Sequence, residues 1–158
     1  MRVASVLTHR RAIDTSPALA PLRAAAARAG VALRFDPEET SKHDLSAGAG
    51  LELDARHDDD VDLCIVMGGD GTILTALRRY AGTQVPVFAV NFGEVGFLAT
   101  VDPDGLDTDF DRAFAREFET LELPGITVGR PERTWTAMNE TTKPATPQAS
   151  TGPPLARL

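Results

Sequence analysis

Short apolar runs and longer amphipathic stretches alternate along most of the chain. Val3 to Leu7 is apolar and β-branched at two positions, which predicts a strand. The Ala-rich, Arg-dotted stretch from Pro17 to Ala29 predicts a helix, with Gly30 as its C-cap. Val31 to Phe35 alternates in the manner of a second strand. From Asp36 to Asp60 the pattern turns polar, which predicts a loop holding one helical turn. Val61 to Met67 is a third strand by length and apolarity, and it ends abruptly on Gly68, Gly69, Asp70, Gly71 and Thr72. Ile73, Leu74, Leu77 and Tyr80 then recur at helical spacing, so a helix starts just after the glycines and runs toward Gly82. After Pro86, Val87 to Val90 reads as a buried strand ending in Asn91, Phe92, Gly93, Glu94, Val95, Gly96 and Phe97. Phe110, Phe114 and Phe118, at intervals of four, predict a helix over Asp109 to Phe118 whose aromatics pack in the core.

The chain changes character after Leu123. Ile126 to Val128 and Thr134 to Met138 read as short strands, followed by Asn139 and Glu140. Thr141 to Leu158 carries Pro144, Pro147, Pro153 and Pro154 with no apolar period, which predicts a disordered tail. Strands alternating with helices in this order imply an α/β fold, a Rossmann-like parallel sheet flanked by helices, with ligands at the carboxyl ends of the strands. The expected division is an α/β domain over 1–122, a short β segment over 123–140 and the tail over 141–158.

Composition narrows the classes of function. A chain of 158 residues is too short for two large domains. With 42% apolar and 25% charged residues it has enough apolar material for a core. Sixteen Lys and Arg against 23 Asp and Glu leave a net charge of −7, which disfavours nucleic acid and anionic lipid surfaces as partners. A lone Cys64 forms no internal disulfide, fits a reducing compartment and, inside an apolar run, reads as a buried inert thiol. No apolar run approaches the roughly 18 residues of a spanning helix, and no signal-peptide core follows Met1, so a cytoplasmic location is expected. His9, His43 and His57 stand far apart in polar surroundings and read as exposed or locally bonded rather than as a metal cluster. Asp58, Asp59 and Asp60 read as a solvated turn, because adjacent carboxylates do not converge on one ion.

The turn from Gly68 to Thr72 carries the most chemistry. Glycines let the main chain approach a ligand without a Cβ clash. Amides at such a turn, followed by a helix N-terminus, suit phosphates. Asp70 in its middle either caps the following helix or acts chemically, orienting and deprotonating a hydroxyl acceptor in phosphoryl transfer. These five residues alone leave the two roles level.

The second turn, beside the first if the two strands are neighbours, adds a resemblance. GGDGTIL at 68–74, NFGEVGFLA at 91–99 and the Asn139–Glu140 pair together resemble the NAD kinase family. The match runs along most of residues 1–140 and fits that family's amino-terminal domain. GGDGT alone is shared with lipid kinases of the diacylglycerol kinase type and, loosely, with phosphofructokinases; NxGxxGFL is not expected after it in either. The resemblance implies transfer of the terminal phosphoryl group of ATP, or of polyphosphate, to the 2′-hydroxyl of the adenosine ribose of NAD, giving NADP. It makes Asp70 the proton acceptor and places Gly68, Gly69, Gly71, Thr72 and Asn91 in the substrate site. Phe97 would line the adenine end of the pocket, and Asn139 and Glu140 would bond its polar groups. No residue is assigned to a resident metal; a divalent ion, Mg²⁺, would come with ATP. Family members form homo-oligomers.

The chain departs from the family's pattern in two respects. Family members continue past the NE pair into a β-rich substrate domain with a GD pair and a TPTGST-like loop; here 123–140 would be a remnant of that domain and the Pro- and Thr-rich tail stands in its place. Thr75 occupies a position where many bacterial members carry a basic residue. The expectation is therefore a truncated or divergent NAD kinase whose activity is weak or absent. The alternatives are a non-catalytic nucleotide-binding module of the same family and, less favoured, a lipid kinase.

Overall fold

A computed structural model describes residues 1–56, 60–93, 96–99 and 101–124, and the backbone of 156–157. Its elements in chain order are β1 (Val3–Thr8), α1 (Ala12–Ala29), β2 (Ala32–Arg34), α2 (Pro37–Lys42), β3 (Leu51–Glu52), β4 (Leu63–Gly68), α3 (Asp70–Arg79), β5 (Val87–Asn91), α4 (Leu106–Phe114), β6 (Glu122–Leu123) and β7 (Ala156–Arg157). The first five strands form one parallel sheet in the order β3-β2-β1-β4-β5. β6 and β7 pair antiparallel as a separate two-stranded ladder.

Both faces of the sheet are covered, which explains why its strands are near-continuous apolar runs. Alternate side chains of β4 supply two cores. Ile65 and Met67 join Val6, Leu22, Leu33, Phe35, Phe110 and Phe114 under α1 and α4. Cys64 and Val66 join Leu7, Ile73, Leu77, Tyr80 and Val87 under α3. On the second face the Tyr80 hydroxyl donates to Ser5 Oγ at 2.8 Å, satisfying both buried groups. Arg28 of α1 bonds Asp111 of α4 at 2.8 Å across their exposed edges.

The differences from the sequence expectations have local causes. α1 ends where expected, with Gly30 in the left-handed conformation (φ 66°), but it begins at Ala12, five residues before Pro17. Pro17 and Pro21 lie inside the helix, whose buried face carries Ala18, Leu19, Leu22, Ala25 and Ala26 into the core. The 36–60 stretch, expected to be a loop with one turn, holds α2 and also β3, a two-residue strand in register with β2 (Leu33↔Leu51, Arg34↔Glu52). α4 runs from Leu106 to Phe114 rather than from Asp109 to Phe118. Arg116, at φ 61°, turns the chain out of the helix, and the Phe118 ring packs on Phe88 instead, with centroids 6.2 Å apart. Asp60 is exposed and pairs with Arg34, which also bonds Glu52 at 2.8 Å.

The strands expected at 126–128 and 134–138 lie outside the described residues, as do Asn139 and Glu140. So does the tail at 141–158, apart from Ala156–Arg157, whose backbone pairs with Glu122–Leu123.

Candidate active site

β1 and β4 are adjacent, but the chain leaves β1 toward β2 on one side and returns to β4 on the other. This reversal opens a crevice at the carboxyl ends of the two strands, the place where open α/β sheets bind ligands. A cleft of about 420 Å³ occupies it. One wall is the end of β1, with Thr8, His9 and Arg10; the other is the glycine turn after β4, with Gly69, Gly71 and Thr72.

The glycine turn is tightly specified. Gly69 is the N-cap of α3 and makes no side-chain cap; its carbonyl accepts from Thr72 N at 2.9 Å and Ile73 N at 3.2 Å. A Cβ on Gly68 would stand 2.6 Å from Thr72 Oγ1, so this position admits no side chain without displacement. A Cβ on Gly71 would meet nothing within 4 Å, which leaves its main chain open to the cleft. Thr75 Oγ1 donates back to Gly71 O at 2.9 Å and so contributes no cation to this wall.

β4 and β5 are neighbours, with Gly68 opposite Asn91, so the two glycine-bearing turns stand side by side. Asn91 braces the second turn: its Oδ1 accepts from Gly93 N at 2.9 Å, and its side chain lies where a Cβ on Gly96 would come within 3.0 Å. Phe92 N donates to Gly68 O at 3.2 Å, linking the turns through the backbone. Phe97 is 88% exposed and borders an apolar groove of about 300 Å³ with Leu98, Val101 and Phe118.

Asp70 is not the helix cap. It occupies the first residue of α3, and both its carboxylate oxygens accept the amide of Phe97 at 3.2 Å, with one also accepting Leu98 N at 3.3 Å. Three long amide contacts leave lone pairs on a carboxylate that has about four acceptor positions. Of the two roles left open for Asp70, capping is not the one its side chain takes; the carboxylate bridges the two turns, partly exposed at their junction.

Sequence reasoning missed the α2 group beside the end of β1, of which Glu39 and Lys42 line the cleft. Glu39, Lys42 and His43 lie in the polar stretch expected to be a loop with one helical turn, yet the Glu39 and His43 side chains are buried and Lys42 is only 11% exposed. Burial holds the His43 imidazole below its ordinary pKa, against an opposing pull from Glu39. Hydropathy carries no signal for such a cluster; the polar ending of β1 at Thr8-His9-Arg10 was the available hint. Cys64 is buried and its thiol is pushed up to about 11 by desolvation, which makes it unreactive. Among the described residues no three His, Cys, Asp or Glu side chains lie together as a metal site, and no helix is long and apolar enough to cross a membrane.

Comparison with known proteins joins this geometry to a family. The family described as "ATP-NAD kinase N-terminal domain" matches residues 24–118, a span that includes both turns and Asp70. The chain belongs to the NAD kinase family. Similar relatives include an NAD kinase of Leifsonia xyli subsp. xyli, 44% identical over 63 residues covering 40% of this chain and 21% of that protein. An NAD kinase of Methanoregula boonei is 33% identical over 129 residues, covering 78% of this chain and 45% of that protein. A yeast NADH kinase crystallised with NADH shares the fold, with a TM-score of 0.65 at 20% identity, over 78% of this chain and 41% of that one. The chain thus spans less than half the length of these NAD kinase relatives.

Proposed function

We propose that this chain carries the catalytic half-site of an NAD kinase, in which the terminal phosphoryl group of ATP or polyphosphate passes to the 2′-hydroxyl of the adenosine ribose of NAD. The observation that carries this reading is the placement of Asp70. It stands between a glycine turn suited to phosphates and a second turn bearing an exposed aromatic ring, and it is not used to cap its helix. In this reading the donor phosphates lie in the cleft at the switch point against Gly68, Gly69, Gly71 and Thr72, and the acceptor nucleoside reaches Asp70 from the side of Phe97. Asp70 orients the ribose hydroxyl and accepts its proton as the new P–O bond forms and the bond to the leaving phosphate breaks. Asn91 acts by holding the second turn rather than by direct contact. Asn139 and Glu140 complete the acceptor site in the family pattern.

The described residues do not assemble a resident metal site. A divalent ion, Mg²⁺, enters this reading with the nucleotide substrate, as the family resemblance implies. Steering comes from backbone amides and from Arg10, with Arg79 and Lys42 also lining the cleft, while the protein as a whole carries a charge of −7. Homo-oligomers and a location in the cytoplasm go with the family reading.

The direct test is NADP formation from ATP, or from polyphosphate, and NAD by the purified chain and by its Asp70→Asn variant. NADP formed by the wild type and abolished in a folded variant supports the reading. Equal formation by both would refute the role of Asp70. Nucleotide binding without any NADP in the wild type favours the non-catalytic module.

A further inference from the structure

The last residue of β1 is held from α2 at nearly every polar atom it has. Glu39 Oε1 accepts Thr8 N–H at 3.0 Å and Oε2 accepts the Thr8 hydroxyl at 2.7 Å. Lys42 Nζ donates to Glu39 Oε1 at 2.7 Å, to Thr8 O and Oγ1 at 3.1 Å and to His9 O at 3.4 Å. His43 Nε2 lies 2.7 Å from Thr8 Oγ1, while its Nδ1 lies 3.1 Å from Ser16 Oγ of α1. Glu39 is itself fixed, because Asp36 caps α2 by accepting Glu39 N at 2.7 Å.

Burying a carboxylate, an ammonium and an imidazole to secure a strand end is expensive where apolar side chains would hold it as well. What the polar set adds is a defined position. The two residues that follow Thr8, His9 and Arg10, line the same cleft as the glycine turn, beside Glu38, Glu39 and Lys42 of α2. The three protons of Lys42 already face four acceptors, so its charge is committed to Glu39 and to the β1 backbone. Arg10, by contrast, is exposed and has no hydrogen-bond or ion-pair partner among the described residues.

We propose that Glu39 is a positioning residue of the cleft: by holding the end of β1 through Thr8, it fixes His9 and Arg10 opposite the glycine turn, where Arg10 meets the phosphate chain of the donor. The proposal rests on the reading of the cleft as the donor site. Glu39 borders the cleft with only 1% of its side chain exposed and both oxygens taken up by Thr8 and Lys42, so it acts through the strand end; Arg10 is the contact, and Lys42 and His43 complete the clamp.

Inorganic tripolyphosphate, titrated into the 158-residue chain and followed by backbone amide shifts and calorimetry, separates the two claims. The expected result is movement of the His9, Arg10, Gly69, Gly71 and Thr72 amides. If none of these amides responds, the cleft is not a donor site, and the underlying reading fails together with the proposal. If they respond, Glu39→Gln is expected to weaken binding about fivefold, within the range of couplings inside one network. Arg10→Gln should weaken it by at least as much, and the double variant should bind no worse than Arg10→Gln alone. Unchanged affinity in a folded Glu39→Gln chain, or losses that simply add, would overturn the proposal while leaving the donor site in place. Should Glu39→Gln not fold, Thr8→Val removes the hydroxyl that the clamp grips and carries the same expectations.

Discussion

Both oxygens of the Asp70 carboxylate accept the backbone amide of Phe97 at 3.2 Å, although the two residues belong to different turns. The bond sets the distance between the glycine turn and the aromatic side of the site, and it gives Asp70 a task in the fold as well as one in the proposed chemistry. Substitutions that separate these tasks are therefore informative.

Asp70→Asn keeps the size of the side chain and one acceptor oxygen for the Phe97 amide, but it cannot take a proton. NADP formation should fall by about 10²- to 10⁴-fold, the usual contribution of a general base, with adenine nucleotide binding and the thermal midpoint close to wild type. A variant that melts earlier yet forms NADP at the original rate would confine Asp70 to tying the turns together.

The glycines of the first turn should respond in opposite ways. Gly68→Ala forces a Cβ to within 2.6 Å of Thr72 Oγ1, and overpacking of this kind costs about 1–3 kcal/mol, readable from urea denaturation. Gly71 lies in the first turn of α3 with open space around it, so Gly71→Ala should raise stability by about 0.5–1 kcal/mol. The same methyl group stands at the cleft, where a ligand approaches the main chain, and nucleotide affinity should drop. A Gly71→Ala chain with unaltered affinity would place the phosphates elsewhere.

His43 makes stability depend on pH with a defined sign. Burial lowers its pKa in the folded chain from the ordinary 6.5, so the folded state favours the neutral ring while the unfolded chain takes up a proton more readily. The contribution is complete above the unfolded pKa and is lost as the pH falls below it toward the folded value. Urea midpoints should therefore decline as the pH falls below 6.5 more steeply in the wild type than in His43→Gln. Parallel curves would show that His43 does not govern this window.

The chain by itself should bind adenine nucleotide weakly and form NADP far more slowly than a full-length relative. Positioning of the acceptor accounts for roughly 7–11 kcal/mol of the barrier in such reactions. The relatives it matches are more than twice as long as the shared region. Calorimetry and an NADP assay, run beside a full-length relative, check this, and turnover matching the relative would show that these 158 residues suffice.

Cys64 should resist alkylation by iodoacetamide in the native chain at pH values where an exposed thiol reacts. It is fully buried in strand β4, and its thiol is pushed up to about 11. Reaction should appear only on addition of denaturant, detected as a single adduct by mass spectrometry.

The parts of the fold legible in the sequence were those where hydrophobic spacing and chain punctuation agree. β1, β4, β5 and α3 fall close to their expected positions, and the turns after β4 and β5 are adjacent because their strands are. Spacing misled at α4, where Phe118 keeps the interval of Phe110 and Phe114 but packs after the helix has ended. β3 was invisible because two residues carry no period, and its pairing depends on β2 being nearby. The Glu39–Lys42–His43 cluster was hidden for a different reason: polar residues read as solvated unless something announces their partners, and those partners are Thr8 and Ser16, more than 20 residues away along the chain. The role of Asp70 was half legible. Its type and place marked it for capping or chemistry, whereas its bonds to Phe97 and Leu98 require the register of β4 against β5.

The strand order also determines which parts of the molecule open first. β1 and β4, the two strands that end at the cleft, each have a hydrogen-bonded neighbour on both sides, whereas the two-residue β3 and the strand β5 close the sheet at its margins. Local opening draws on the least-supported hydrogen bonds, so amide hydrogen exchange should be slowest at Val6, Leu7, Ile65 and Val66 and fast at Leu51 and Glu52. The crevice is thus rooted in the last part of the protein to unravel, and a chain that has lost its margins would still hold Thr8 and Gly68 the same distance apart.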